Sequence, residues 1–157
     1  MKLTRSVSYA VGILLQVADE SSKTPVTAAR IARGCRFPPR FLYRILRRLV
    51  DAELLGGVSG PGGGYRLSRT PRAITLFDIV AAVDAPPEPS QLTPVRSSHR
   101  AAIAKVNEIC AVAAARFTAD LRRVKLSDLQ TAGKSTRRKA TRSQRSAKKS
   151  SRRKVRS

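Results

Sequence analysis

Apolar residues return at steps of three and four over most of the first 130 positions, the period of an α-helix with one buried face. Val7, Ala10, Val11, Leu14 and Ala18 predict a helix from about Thr4 to Ala18, closed by the polar run from Asp19 to Lys23. Thr27 is placed to cap a short helix over Ala28 to Arg33, and Gly34 offers the left-handed stop that ends many helices. Pro38 and Pro39 open a third helix through Phe41 to about Ala52. Its Leu42, Ile45, Leu46 and Leu49 fall in one arc, and Arg40, Arg44 and Arg47 fall opposite, with Tyr43 at the flank. Two short helices joined by a tight turn predict a helix-turn-helix.

Beyond it the pattern changes. Leu54 to Ser59 and Tyr65 to Leu67 flank the glycine-rich run Gly60 to Gly64, which predicts two short strands around a turn, a wing. Thr75 and Asp78 have the spacing of a capping box, predicting a helix through Val83. Pro86, Pro87 and Pro89 then interrupt the chain. From Ser97 or Ser98 to about Leu126 the spacing is helical again, through Ile103, Val106, Cys110, Ala113, Phe117, Leu121 and Val124. Such a helix, about 42 Å long, exceeds what one small domain covers, so a second copy of the chain is the expected cover for part of that stripe.

The expected fold class is therefore mostly α with a small β-wing: a winged helix-turn-helix domain over residues 1–84, a Pro-rich linker over 85–97 and a dimerisation helix over 98–130. Residues 131–157 hold twelve Lys or Arg and no acid, all ten acids lying at or before Asp128. With little to bury and like charges repelling, this segment is expected to be a disordered basic tail. Removing its twelve from the chain's 32 cations leaves 20 against 10 acids, so residues 1–130 are still +10.

A net charge of +22 makes a polyanion the expected partner. No apolar run reaches the roughly 18 residues of a membrane span, and the first residues lack the shape of a secretory signal, so the expected location is cytoplasmic and nucleoid-associated. Cys35 and Cys110 stand 75 positions apart with no C-x-x-C pair, and His99 is the lone histidine, so no metal site and no cofactor is expected. The glycine-rich run lacks the Lys-Ser or Lys-Thr of a phosphate loop and the G-x-G-x-x-G spacing, which argues against nucleotide binding. No grouping of Ser, His and Asp suggests an enzyme.

Residues 1 to about 129 resemble the Rrf2 family of bacterial transcription regulators. The resemblance rests on Leu3-Thr4 and Tyr9-Ala10, Ile31-Ala32, and Phe41-Leu42 through Leu49. Its most specific strings are Gly60 to Leu67, Ile74 to Val80, and Ala82-Val83. It implies a winged helix-turn-helix, a long dimerisation helix and roughly palindromic DNA sites. Many members carry three closely spaced cysteines ahead of the long helix that ligate an iron–sulfur cluster; the matching stretch here, Ala85 to His99, has none. The wing departs too, with Ser59 where a basic residue commonly precedes the first glycine.

The expected DNA-contacting residues are Arg36, Pro39, Arg40, Tyr43, Arg44 and Arg47 around the third helix and Ser59, Gly60, Gly62, Gly63 and Arg66 on the wing. A guanidinium fork pairs with guanine O6 and N7 or with phosphate oxygens, and the major groove admits a helix that presents it. Which arginine reads a base and which holds phosphate stays open. The expected activity is sequence-specific regulation by a homodimer on double-stranded DNA. The alternative is an architectural DNA-compacting protein that binds mainly through its tail.

Overall fold

The computed structural model describes residues 3–20, 24–35, 38–84, 88–89 and 91–133. Helix α1 spans Arg5–Glu20, α2 Ala28–Cys35 and α3 Pro39–Asp51; strands β1 and β2 span Leu55–Val58 and Gly64–Leu67; α4 spans Leu76–Val83 and α5 Arg100–Arg123. A 3-10 turn at Ser97–His99 leads into α5, and residues 126–133 form a further helical segment. The mostly helical architecture with a small β-wing agrees with the sequence pattern.

The core lies where α1, α3 and α4 meet. α1 buries Val7, Ala10, Ile13, Leu14 and Val17, while Val11 and Ala18 sit half-buried at its flanks. The buried stripe is thus turned from the expected one, because α1 packs against α2, α3, α4 and β2 and needs a broad apolar arc. Leu42, Ile45, Leu46 and Leu49 of α3 are all buried, as their spacing required, and each such side chain contributes roughly 1.5–3 kcal/mol of burial. Arg48 reaches out of α3 and donates from Nη1 to the Val83 carbonyl at 2.5 Å, tying α3 to the end of α4.

Local chemistry sets the ends. Thr27 caps α2, its hydroxyl accepting from the Arg30 N–H at 3.3 Å. Gly34 does not stop that helix, which continues to Cys35; its missing side chain leaves room for the end of the Gln16 side chain of α1, which a Cβ there would displace. The Thr75–Asp78 capping box is complete, with the Asp78 N–H donating to Thr75 Oγ1 at 3.0 Å and the Thr75 N–H to Asp78 Oδ2 at 2.8 Å.

The C-terminal half departs from a single long helix. α5 stops at Arg123 because the next residues pair with the entry to α4: the Leu76 N–H donates to the Val124 carbonyl and the Leu126 N–H to the Ile74 carbonyl, both at 2.9 Å. Asp128 then caps the segment 126–133 by accepting from the Lys125 N–H. Leu121 and Leu126 are buried in the chain's own core, with Phe117 packed against it. Residues 131–133 belong to this helical segment, while 134–157, most of the expected tail, lie outside the described residues.

Candidate nucleic-acid interface

At about 100° per residue, Arg40, Tyr43, Arg44 and Arg47 share an arc of about 100° on α3, centred opposite the arc of Leu42, Ile45, Leu46 and Leu49. All four are exposed, Tyr43 to 60%. Tertiary packing on one face therefore delivers a cationic stripe with one aromatic on the other. No acidic residue lies in the first turn of α3. Near its end Arg47 meets Asp51 at 3.9 Å, an exposed i,i+4 pair of little strength that leaves the guanidinium available.

Arg44 stacks on an aromatic ring. Its guanidinium carbon lies 4.7 Å over the Phe41 ring, which in turn meets Tyr9 of α1 edge-on, centroids 6.4 Å apart. Phe41 and Tyr9 were not among the residues the sequence singled out for the interface; an aromatic three positions before an exposed arginine on a helix was the available signal. Arg30 bridges back to Glu20, and Gln16 Nε2 donates to the Arg30 carbonyl at 3.0 Å, so this arginine fastens α2 to α1. Arg33 is exposed; Arg36 lies outside the described residues, as does the side chain of Pro39, whose backbone begins α3.

The wing is an antiparallel pair in the register Leu55–Leu67, Gly56–Arg66, Gly57–Tyr65 and Val58–Gly64. At its tip the Gly63 N–H donates to the Gly60 carbonyl at 2.9 Å. Pro61 and Gly62 occupy the central positions, and Gly62 has φ 79°, as a type II turn demands. Gly64 permits a different contact: a Cβ there would lie 2.6 Å from the Val26 carbonyl oxygen, and its absence lets Val26 and Tyr65 exchange two backbone hydrogen bonds. The wing is thereby anchored to the segment just before α2. Ser59, Gly60, Gly62 and Arg66 are exposed, and Gly63 is half-buried with its N–H engaged inside the turn.

The residues expected on a dimer face divide. Val106 and Ala113 are exposed, and Ile103 and Cys110 partly so, whereas Phe117 and Leu121 turn into their own chain and Val124, just past the end of α5, is half-buried. Ile109 and Val112, absent from the expected stripe, are exposed together with Val106. The described linker is held to α5 by Asn107, whose carboxamide accepts from the Leu92 N–H at 2.8 Å and donates to the Leu92 carbonyl at 2.9 Å.

A helix-turn-helix with an anchored wing and a long C-terminal helix narrows the comparison with known proteins. Residues 3–132 match the family model described as Rrf2, iron-dependent transcriptional regulator. The chain belongs to the Rrf2 family. An rrf2-like regulator of the helix-turn-helix type from Rhodobacter capsulatus is 30% identical over 118 residues, 69% of this chain and 79% of that one. The regulator IscR of Vibrio vulnificus is 40% identical over 84 residues, 54% of this chain; the chain spans about half the length of the curated relatives it matches in this way. The fold is that of CymR, the global cysteine regulator of B. subtilis, at TM-score 0.62 and 22% identity over 83% of this chain and 97% of that one. T. potens IscR gives 0.61 and 23% over 85% and 88%. These relatives are transcriptional regulators, not enzymes. Among the described residues no helix is long and apolar enough to cross a membrane.

The iron in the family description invites a test of the donor set. Among the described residues no three His, Cys, Asp or Glu come together as a metal group. The described part of the stretch before α5 offers one imidazole, His99, and no thiol, and Cys110 is a single thiol on α5.

Proposed function

We propose that this Rrf2-family chain is a sequence-specific DNA-binding transcriptional regulator that works as a homodimer in the cytoplasm, on the nucleoid. The observation that carries the reading is the divided α3, whose buried leucines and isoleucine fix the helix while Arg40, Tyr43, Arg44 and Arg47 face outward. A helix of this kind enters the major groove, and Arg66 with the Ser59–Gly63 tip reaches the flanking backbone. Two copies would set their α3 helices roughly 34 Å apart.

The second copy covers α5 over Val106, Ile109 and Val112, a face left open by the chain's own core. Val95, 94% exposed on the linker, and Leu92 extend it. The residues present do not fit a thiolate-ligated cluster, which needs several cysteines converging on one site. The regulator therefore acts here without one, and no step of DNA recognition depends on it.

The test is selection of bound sites from random duplex DNA by the chain ending at Gly133, which keeps every described residue, at about physiological salt. An enriched inverted repeat, lost in Arg40→Ala and Arg44→Ala, is the expected outcome. No enrichment, with binding only in the full chain, would overturn the regulator in favour of an architectural protein.

A further inference from the structure

The outer face of α5 carries charges in an order that complements itself only when reversed. At about 100° per residue, Lys105, Glu108, Ile109, Val112, Arg116 and Asp120 share an arc of about 120°, centred opposite the buried Ala114 and Leu121. All six are exposed. We propose that a second copy of the chain packs its α5 antiparallel on this arc, with the two-fold axis beside Val112, so that Glu108 meets the partner's Arg116 and Lys105 meets the partner's Asp120. The inference rests on the homodimer reading and adds to it a direction and a register.

Spacing carries the register. Glu108 and Arg116 stand four positions either side of Val112, and Lys105 and Asp120 stand seven before it and eight after. In a two-fold interface residue i meets j and j meets i, so an antiparallel pair centred at residue 112 makes each of these contacts twice. The opposite orientation, with the axis running along the helices, sets every residue beside its own copy and brings like charge to like at all four charged positions. Within one chain Lys105 pairs with Glu108 at 2.8 Å and Asp120 with Arg123 at 3.7 Å, exposed i,i+3 contacts that are exchanged at little cost. Arg116 has no ion pair among the described residues.

Charge and shape both favour a copy of the chain over other occupants. The chain is +22, yet this arc holds two charges of each sign, so neither a polyanion nor a basic segment is drawn to it. Between the charges lie Ile109 and Val112, 59% and 46% exposed, an apolar centre that gains from cover. The large side chains of Val106 and Ile109 precede Val112, and the exposed Ala113, Ala115 and Ala119 follow it. Reversal therefore sets large against small, which lets the helix axes approach to the short end of the usual range of about 8–10 Å.

The experiment places single cysteines in the full chain with Cys35 and Cys110 changed to Ser, and oxidises the protein with copper–phenanthroline. In this register the two copies of residue 106 lie about 18 Å apart along the helices, beyond the roughly 7 Å between Cα atoms that a disulfide spans, whereas the two copies of residue 112 face each other. Val112→Cys should therefore give covalent dimers and Val106→Cys none. Without the added cysteines, Glu108→Arg and Arg116→Glu should each raise the dimer dissociation constant about tenfold, and the two together should return it to within about threefold of the original, read by sedimentation equilibrium. No cross-linking at 112, cross-linking at 106 as strong as at 112, or a double swap no tighter than either single one would overturn the register, and a chain still dimeric in those experiments keeps the homodimer reading. An unaltered chain that sediments as a monomer overturns both together.

Discussion

The end of α3 carries a measurable cost. The Leu54 N–H donates to the Leu49 carbonyl and the Glu53 N–H to the Val50 carbonyl, both at 2.9 Å, which is the Schellman pattern, and Leu49 and Leu54 are buried together beneath it. The residue between, at the position where helices favour glycine, is Glu53 with φ 54°. Left-handed backbone costs an L-residue with a Cβ about 1–2 kcal/mol. Glycine would remove that cost but lose about 0.4–1 kcal/mol more chain freedom on folding. Losing an exposed carboxylate at the negative end of a helix returns about 0.3 kcal/mol. The net expectation for Glu53→Gly is about 1 kcal/mol of added stability, or about 4 °C in Tm. Glu53→Ala keeps the strain and loses only the charge, so it should gain a few tenths of a kcal/mol. Thermal and urea unfolding of the three proteins decide the matter. A glycine variant no more stable than the alanine variant would refute the assignment of strain to this residue.

Gly64→Ala should destabilise the fold by about 1–3 kcal/mol, read as a lower urea midpoint, because the added methyl cannot coexist with the Val26–Tyr65 pairing. Arg48→Met should cost about 1–3 kcal/mol by leaving the Val83 carbonyl without its partner, whereas Arg47→Ala should change stability by less than about 0.5 kcal/mol and weaken DNA binding; equal thermal shifts would contradict this division. Phe41→Leu should weaken DNA binding about two- to fivefold by removing the ring beneath Arg44, with Phe41→Tyr restoring it, as judged by fluorescence anisotropy. Ile109→Asp should give monomers in sedimentation with an unchanged circular dichroism spectrum, since the side chain is 59% exposed within one chain.

Much of this fold is legible in the chain because its elements carry redundant signals. α3 has a proline start and two opposed faces, α4 a capping box, and the wing a Pro-Gly turn, and each of these chemistries is local. What the sequence obscured is what only a neighbour can decide. Gly34 reads as a helix stop until Gln16 of α1 is seen against it. The stripe of α5 reads as one continuous face, yet backbone pairing of residues 124–126 with residues 74–76 ends the helix and turns Leu121 inward. Periodicity reports that a face is apolar, not which partner it meets. The same holds for Arg48: helical spacing leaves it off the stripe of Arg40, Arg44 and Arg47, but only the fold shows that it donates to the Val83 carbonyl.

That reach has a consequence for how tolerant the protein can be of its DNA. α3 is fastened to the end of α4 by Arg48, and α4 rests on α5 with the Arg122 guanidinium 4.3 Å over the Phe77 ring. On the homodimer reading, reading head, spacer and hinge partner then move as one arm of a calliper. One extra base pair between half-sites shifts the second by about 3.4 Å and turns it by about 35°. On that same reading, an arm without a joint would not follow both displacements, and the distance between half-sites would be selected along with the bases within them.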